Sequence, residues 1–175
     1  HLIRPYGFHI SEKEIKRAGM DYWDKIDLHE YIDYDDFLEK HPEISFGGAR
    51  EEAGAEASEA YNNGIRSSLS NHPDSQAAEQ NDRAEGDAPR LWFATTKAHH
   101  AYTEVCFGPN DYIMLGNESR GIPEEILVQH PDACIRIPMW GDIRSLNLAN
   151  SAAIILYEAL RQNGFENMER YGELH

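Results

Sequence analysis

Between residues 111 and 162, two strand-like runs each end at a loop richer in glycine and polar groups than a plain linker requires. The first run, Tyr112-Ile113-Met114-Leu115, stops at Gly116-Asn117-Glu118-Ser119-Arg120-Gly121. The second, Ala133-Cys134-Ile135-Arg136-Ile137, is stopped by Pro138, and the loop through Met139, Trp140, Gly141, Asp142, Ile143, Arg144, Ser145, Leu146 and Asn147 opens a long helix. Strands alternating with helices confine a chain to an α/β fold with a mostly parallel sheet and helices on both faces, because parallel strands need crossover connections. Folds of this class bind small molecules at the loops beyond the carboxyl ends of their strands. A binding site is therefore expected at these two loops.

The rest of the chain can be placed around that core. Ser11 with Glu14 three residues on forms a capping box, and Gly19 suits the stop, so a helix is expected over residues 12–18. A strand over residues 27–32 and a helix opening at Tyr34 come next, and the apolar run 91–96 reads as a further strand. Pro123 followed by Glu124 and Glu125 suits a helix start. Leu146, Ala149, Ala152, Ala153, Leu156, Ala159 and Leu160 recur at helical spacing before a C-capping Gly164, which predicts the buried stripe of the last helix. Leu2-Ile3 reads as the tail of a strand already under way, so the chain is expected to lack an upstream segment.

From about residue 41 to 90 no period persists and aromatic residues almost vanish. Such a stretch cannot bury enough apolar area to offset its ordering entropy. It is expected to be a disordered acidic insertion, placed at a surface turn, within one domain spanning residues 1–175. Residues 49–89 hold nine acids against three arginines, which is −6 of the chain's formal −15 and leaves −9 elsewhere. So acidic a balance speaks against nucleic-acid binding, since phosphate partners usually call for a basic footprint. Cys106 and Cys134 stand singly, with no CxxC pair, and read as reduced buried thiols. No apolar run reaches membrane-spanning length and no signal peptide is visible, so a cytoplasmic protein without membrane contact is expected.

Local chemistry leaves the two loops open between site and structure. Gly116 and Gly121 let a backbone approach a ligand closely, or simply form a strand-to-helix turn. Ser145 and Asn147 are as well suited to capping the following helix as to binding. Tyr157 suits a core position with its hydroxyl at the rim. Neither a dinucleotide GxGxxG nor a P-loop is present. The nine histidines show no metal-ligand spacing, and no Gly-x-Ser-x-Gly elbow occurs, which disfavours metal and hydrolase chemistry.

Taken together, Gly116-Asn117-Glu118-Ser119-Arg120-Gly121-Ile122-Pro123, Ile135-Arg136-Ile137-Pro138-Met139 and Arg144-Ser145-Leu146-Asn147-Leu148-Ala149-Asn150-Ser151-Ala152 closely resemble the last two motifs of the SPOUT RNA methyltransferases. Within that superfamily the chain is similar to the small SpoU-type enzymes, the YibK-like (TrmL) group, that methylate the wobble ribose of tRNA at cytidine or uridine 34. The approach from Arg4 to Tyr31, and Leu91-Trp92-Phe93-Ala94-Thr95-Thr96-Lys97 after it, are alike in order and content. The resemblance extends over nearly the whole chain outside the acidic stretch.

That resemblance implies a deep C-terminal trefoil knot, S-adenosyl-L-methionine as cofactor, tRNA as substrate, a homodimer and no metal. It places Ala94 and Thr95 beside the methionine moiety, Leu115 and Gly116 under the cofactor, Ile137 at the adenine, and Ser145 with Leu146 closing the pocket. Glu118, Asn147 and Tyr157 match the polar catalytic or substrate-positioning positions. It also implies that a first motif, with the arginine usually held to activate the hydroxyl, precedes His1, so the chain alone would lack that group. Asn117 departs from the Pro or Arg common among relatives. Methylation of another ribose in tRNA or ribosomal RNA, or a non-catalytic knotted RNA-binding module, are the alternatives.

Overall fold

The computed structural model describes residues 1–6, 25–48, 87–141 and 145–174. The helix expected over 12–18 and residues 49–86 of the acidic stretch lie outside the described residues. The chain divides into two compact units, residues 1–44 and 45–175.

In the first unit, β1 (Leu2–Ile3) pairs in parallel with β2 (Glu30–Tyr31). Helix α1 (Tyr34–Lys40) starts where expected, because Asp33 accepts the Asp36 amide at 2.8 Å as its N-cap. Asp36 in turn accepts from Ile32 N and Lys40 Nζ, both at 2.9 Å. Phe37 is the buried anchor, edge-on to Tyr31 with ring centroids 5.1 Å apart.

The second unit is an α/β assembly on a parallel sheet. Strand β4 (Arg90–Ala94) is its spine, with Leu91, Trp92 and Phe93 all buried. Strand β6 (Tyr112–Leu115) pairs along one edge of β4, residue 91 opposite 112 through 94 opposite 115. The other edge is shared. Strand β3 (Ser45–Phe46) takes the start of β4, and β7 (Cys134–Arg136) takes its end through Phe93 and Ala94. Strand β5 (His100–Ala101) adds outside β7. Every one of these pairings is parallel.

Two findings revise the sequence expectations. First, residues 45–46 belong to the sheet. Because β3 runs parallel to β4, the two strands do not form a hairpin. Gly47 follows β3 against the core, for a Cβ there would sit 2.4 Å from the Trp92 ring. Second, the long helix α3 (Leu148–Gln162) buries a different stripe from the one the spacing picked out. Ile155 is its buried residue, packed with Trp92, Val105, Phe107 and Ile135, and Ala159 leans on the same cluster. Ala149, Ala153 and Leu156 face solvent instead. The helix carries aliphatic side chains on both sides, so spacing alone could not say which side meets the sheet.

Polar groups on α3 complete the packing. Gln162 accepts from Phe107 N at 2.9 Å and donates to Val105 O at 3.0 Å, while Asn163 donates to Phe107 O at 3.1 Å. The loop before β6 thus has its buried backbone satisfied by the helix C-terminus. The short helix α2 (Glu124–Leu127) and a 3₁₀ turn (Pro131–Ala133) link β6 to β7. Cys134 is buried, its thiol donating to His130 O at 3.4 Å, and burial raises its pKa, which suits a structural thiol. No helix among the described residues is long and apolar enough to cross a membrane.

Candidate active site

Parallel strands β4, β6 and β7 all end on the same side of the sheet, so the loops that follow them converge. At that edge lies a cavity of about 550 Å³. Ala94, Thr95 and Lys97 contribute from the end of β4, Leu115 and Gly116 from β6, and Ile137 with Met139 from beyond β7. Ser145, Leu146 and Asn147 close another side ahead of α3, whose Ser151 and Ile155 also reach the wall. Leu127 and Ile135, both buried, supply apolar surface.

The loop after β6 is held by its own backbone. Asn117 N donates to Gly121 O at 3.3 Å and Gly121 N donates back to Asn117 O at 2.7 Å. Asn117 Oδ1 accepts from both Ser119 N (2.9 Å) and Ser119 Oγ (2.7 Å), an Asx turn that fixes the loop tip. Gly121 turns with φ +72°, a conformation costly for other residues. Gly116 is required for a different reason: a Cβ there would lie 2.1 Å from the Gly121 carbonyl carbon and 2.2 Å from Ile122 N. The sequence reading noticed both glycines but gave Asn117 no part. An Asn two residues before a Ser, inside a glycine-bracketed loop, was the available signal.

Asn147 is the N-cap of α3. Its Oδ1 accepts Ala149 N at 3.0 Å and Asn150 N at 3.2 Å, so it caps the helix while also standing on the cavity wall. Asp142 and Arg144 lie outside the described residues. All seven positions expected to hold a cofactor line this one cavity, as do Glu118 and Asn147. Tyr157 does not. It projects from the outer side of α3, 57 % exposed, with its ring 6.5 Å from that of Phe165. Among the described residues, no three His, Cys, Asp or Glu side chains are grouped to hold a metal ion.

With this geometry in view, comparison with known proteins is decisive. The SpoU rRNA methylase family model matches residues 56–157, more than half of the chain. The chain belongs to this family. A Lactococcus lactis relative, provisionally named a tRNA (cytidine(34)-2'-O)-methyltransferase, is 34% identical over 97% of this chain and 76% of its own. The tRNA (cytidine(34)-2'-O)-methyltransferase of Photorhabdus asymbiotica is 32% identical over 94% of this chain and 78% of its own. Among solved structures, one concerned with the 2-OH methylation of C/U34 on tRNA superposes with a TM-score of 0.63 at 31% identity, covering 95% of this chain and 79% of that one. Another, from Bacillus anthracis and provisionally described as an RNA methyltransferase, gives a TM-score of 0.65 at 28% identity, over 97% of this chain and 80% of that one. The SpoU relatives therefore share both sequence and fold with this chain across almost its full length.

Proposed function

We propose that the protein methylates the ribose 2′-hydroxyl of the wobble nucleotide of tRNA, cytidine or uridine 34, with S-adenosyl-L-methionine as donor. The observation that carries this reading is the convergence of the three SpoU motif segments on one cavity, combined with relatives named for that reaction. The cavity suits the cofactor. Its volume lies in the range of small-ligand sites. Apolar residues such as Leu127 and Ile135 line it, and Gly116 and Ile137 bring backbone groups to the same wall, which suits an adenine. When bound, the cofactor supplies an electrophilic methyl group on a sulfonium sulfur.

The chain's own residues then have to hold the ribose oxygen in line with that methyl and receive its proton. Asn147 is a carboxamide and no base near neutrality, so its role is to fix the start of α3 and orient the substrate. Glu118, at the tip of the fixed loop, is the carboxylate best placed to meet the RNA. Ser145 and Leu146 close over the cofactor. On this reading, the loops that follow β6 and β7 belong to the deep trefoil knot of the family, which holds the cofactor cradle rigid.

A homodimer accompanies this reading. Helix α3 spends one face on the sheet, yet Ile154, Leu156 and Tyr157 on its other side are all more than a third exposed. An apolar helix face of this kind is the usual mark of a partner surface, and dimerisation would bury Tyr157 where it can serve a site shared between subunits. Wild-type protein should run at twice the chain's 20.0 kDa in light scattering. Ile154→Asp combined with Leu156→Asp should convert it to a monomer that has lost methyl transfer but still melts cooperatively. A wild-type monomer would refute the shared site.

The reaction itself is tested by incubating the protein with methyl-labelled cofactor and tRNA from a strain without wobble methylation. One 2′-O-methyl group at nucleotide 34, mapped by nuclease digestion and mass spectrometry, is the expected product. Label at another ribose would reassign the substrate, and no label with bound cofactor would make the protein a non-catalytic module.

A further inference from the structure

A chain carrying 31 acidic against 16 basic side chains has to meet a polyanion where that excess of acid is locally relieved. The cavity mouth is such a place, with Lys97 and Arg120 balanced by Glu118 on the wall and Glu124 beside it. Lys97 stands in the turn just after β4, where its backbone N–H donates to Thr95 Oγ1 at 3.3 Å. Its ammonium is ion-paired with Glu124 in the first turn of α2.

This pair is built to be exchanged. Both partners are well exposed, with side-chain accessibilities of 61% and 65%, so solvent screens the attraction and separating them costs little. Among the described residues, no other ion pair includes a cavity-wall residue. Glu124 therefore orients the lysine beside the cavity mouth without holding it firmly.

We propose that Lys97 grips the phosphate next to the methylated ribose, trading the Glu124 carboxylate for the RNA backbone as the substrate docks. This inference rests on the proposed tRNA reaction and adds a positioning residue to it. A phosphate contact places the nucleotide without reading its base.

The test compares the wild type with Lys97→Gln and Glu124→Gln, using a tRNA transcript between 50 and 200 mM salt, with cofactor affinity followed separately by calorimetry. For Lys97→Gln, RNA affinity should fall about 10-fold and the log–log salt slope by about one. The loss should appear in KM for tRNA rather than in kcat, with cofactor affinity unchanged. For Glu124→Gln, RNA affinity should rise by about 2- to 5-fold, the value of releasing an exposed ion pair. An unchanged slope in Lys97→Gln, or weaker RNA binding by Glu124→Gln, would overturn the proposal. So would a loss confined to the cofactor, which would assign Lys97 to its carboxylate. Wild-type protein that binds no tRNA would remove the tRNA reaction and this inference together, whereas tRNA binding with an unaltered slope removes only the inference.

Discussion

Replacing Asp111 with alanine should lower the melting temperature by about 10 °C, a large loss for a single polar side chain. Its Oδ1 accepts Arg90 N at 2.9 Å, and its Oδ2 accepts both Trp92 Nε1 at 2.8 Å and Gly108 N at 2.9 Å. One carboxylate thus ties the start of β4, the fully buried indole at the centre of the core and the turn leading into β6. Alanine would strand all three donors, two of them on the buried residues Trp92 and Gly108. Each buried orphan costs about 1–3 kcal/mol, so a total near 3 kcal/mol or more is expected. Asp111→Asn keeps one carbonyl oxygen and should fall between wild type and alanine. Thermal unfolding of the three proteins measures this; equal melting temperatures would show that water replaces the carboxylate without loss.

Among single substitutions, the largest effect on activity belongs to Gly116→Ala. The new methyl group would collide with backbone atoms of Gly121 and Ile122 at 2.1–2.2 Å, and backbone cannot rotate away as a side chain can. The loop would have to open, breaking the paired bonds between Asn117 and Gly121 and shifting Glu118 and Arg120 along the cavity wall. Displacements near 1 Å cost about 10²-fold in rate when reacting groups must align. Cofactor affinity and methyl transfer should therefore both collapse, while the melting temperature drops less than for Asp111→Ala. Wild-type turnover in this variant would show that the loop has no part in the cradle.

How much of this was legible beforehand depended on the kind of signal. Strand β6 could be read to the residue because a glycine stops it, and the start of α1 was expected at Tyr34, where the structure has it, although the Asp33 cap that sets it was not noticed. The cavity residues were found through the likeness of whole motifs to a family, since Ser145 and Asn147 taken singly suit a cap as well as a site. Strands β3 and β5 were missed, and at two residues each they carry no periodicity to detect. The buried stripe of α3 was misjudged because Ile154, Ile155 and Leu156 stand side by side in sequence. Only the sheet decides which of them turns inward. Tyr157 was expected at the site, and its outward position follows from the same rotation of the helix.

The shared edge of β4 sets a minimum length for the acidic stretch. Since β3 and β4 run the same way, the end of β3 and the start of β4 cannot be joined by a tight hairpin turn. A parallel return takes a dozen or more residues whatever their composition. Complete excision of residues 49–89 would leave a tether too short to span that distance and would pull β3 out of the sheet, exposing Trp92 where Gly47 now covers it. Beyond that minimum, the length of the segment is unconstrained by the sheet. The chain can be trimmed there or extended with foreign sequence, because both anchor points lie at the start of β4, the end of that strand remote from the cavity.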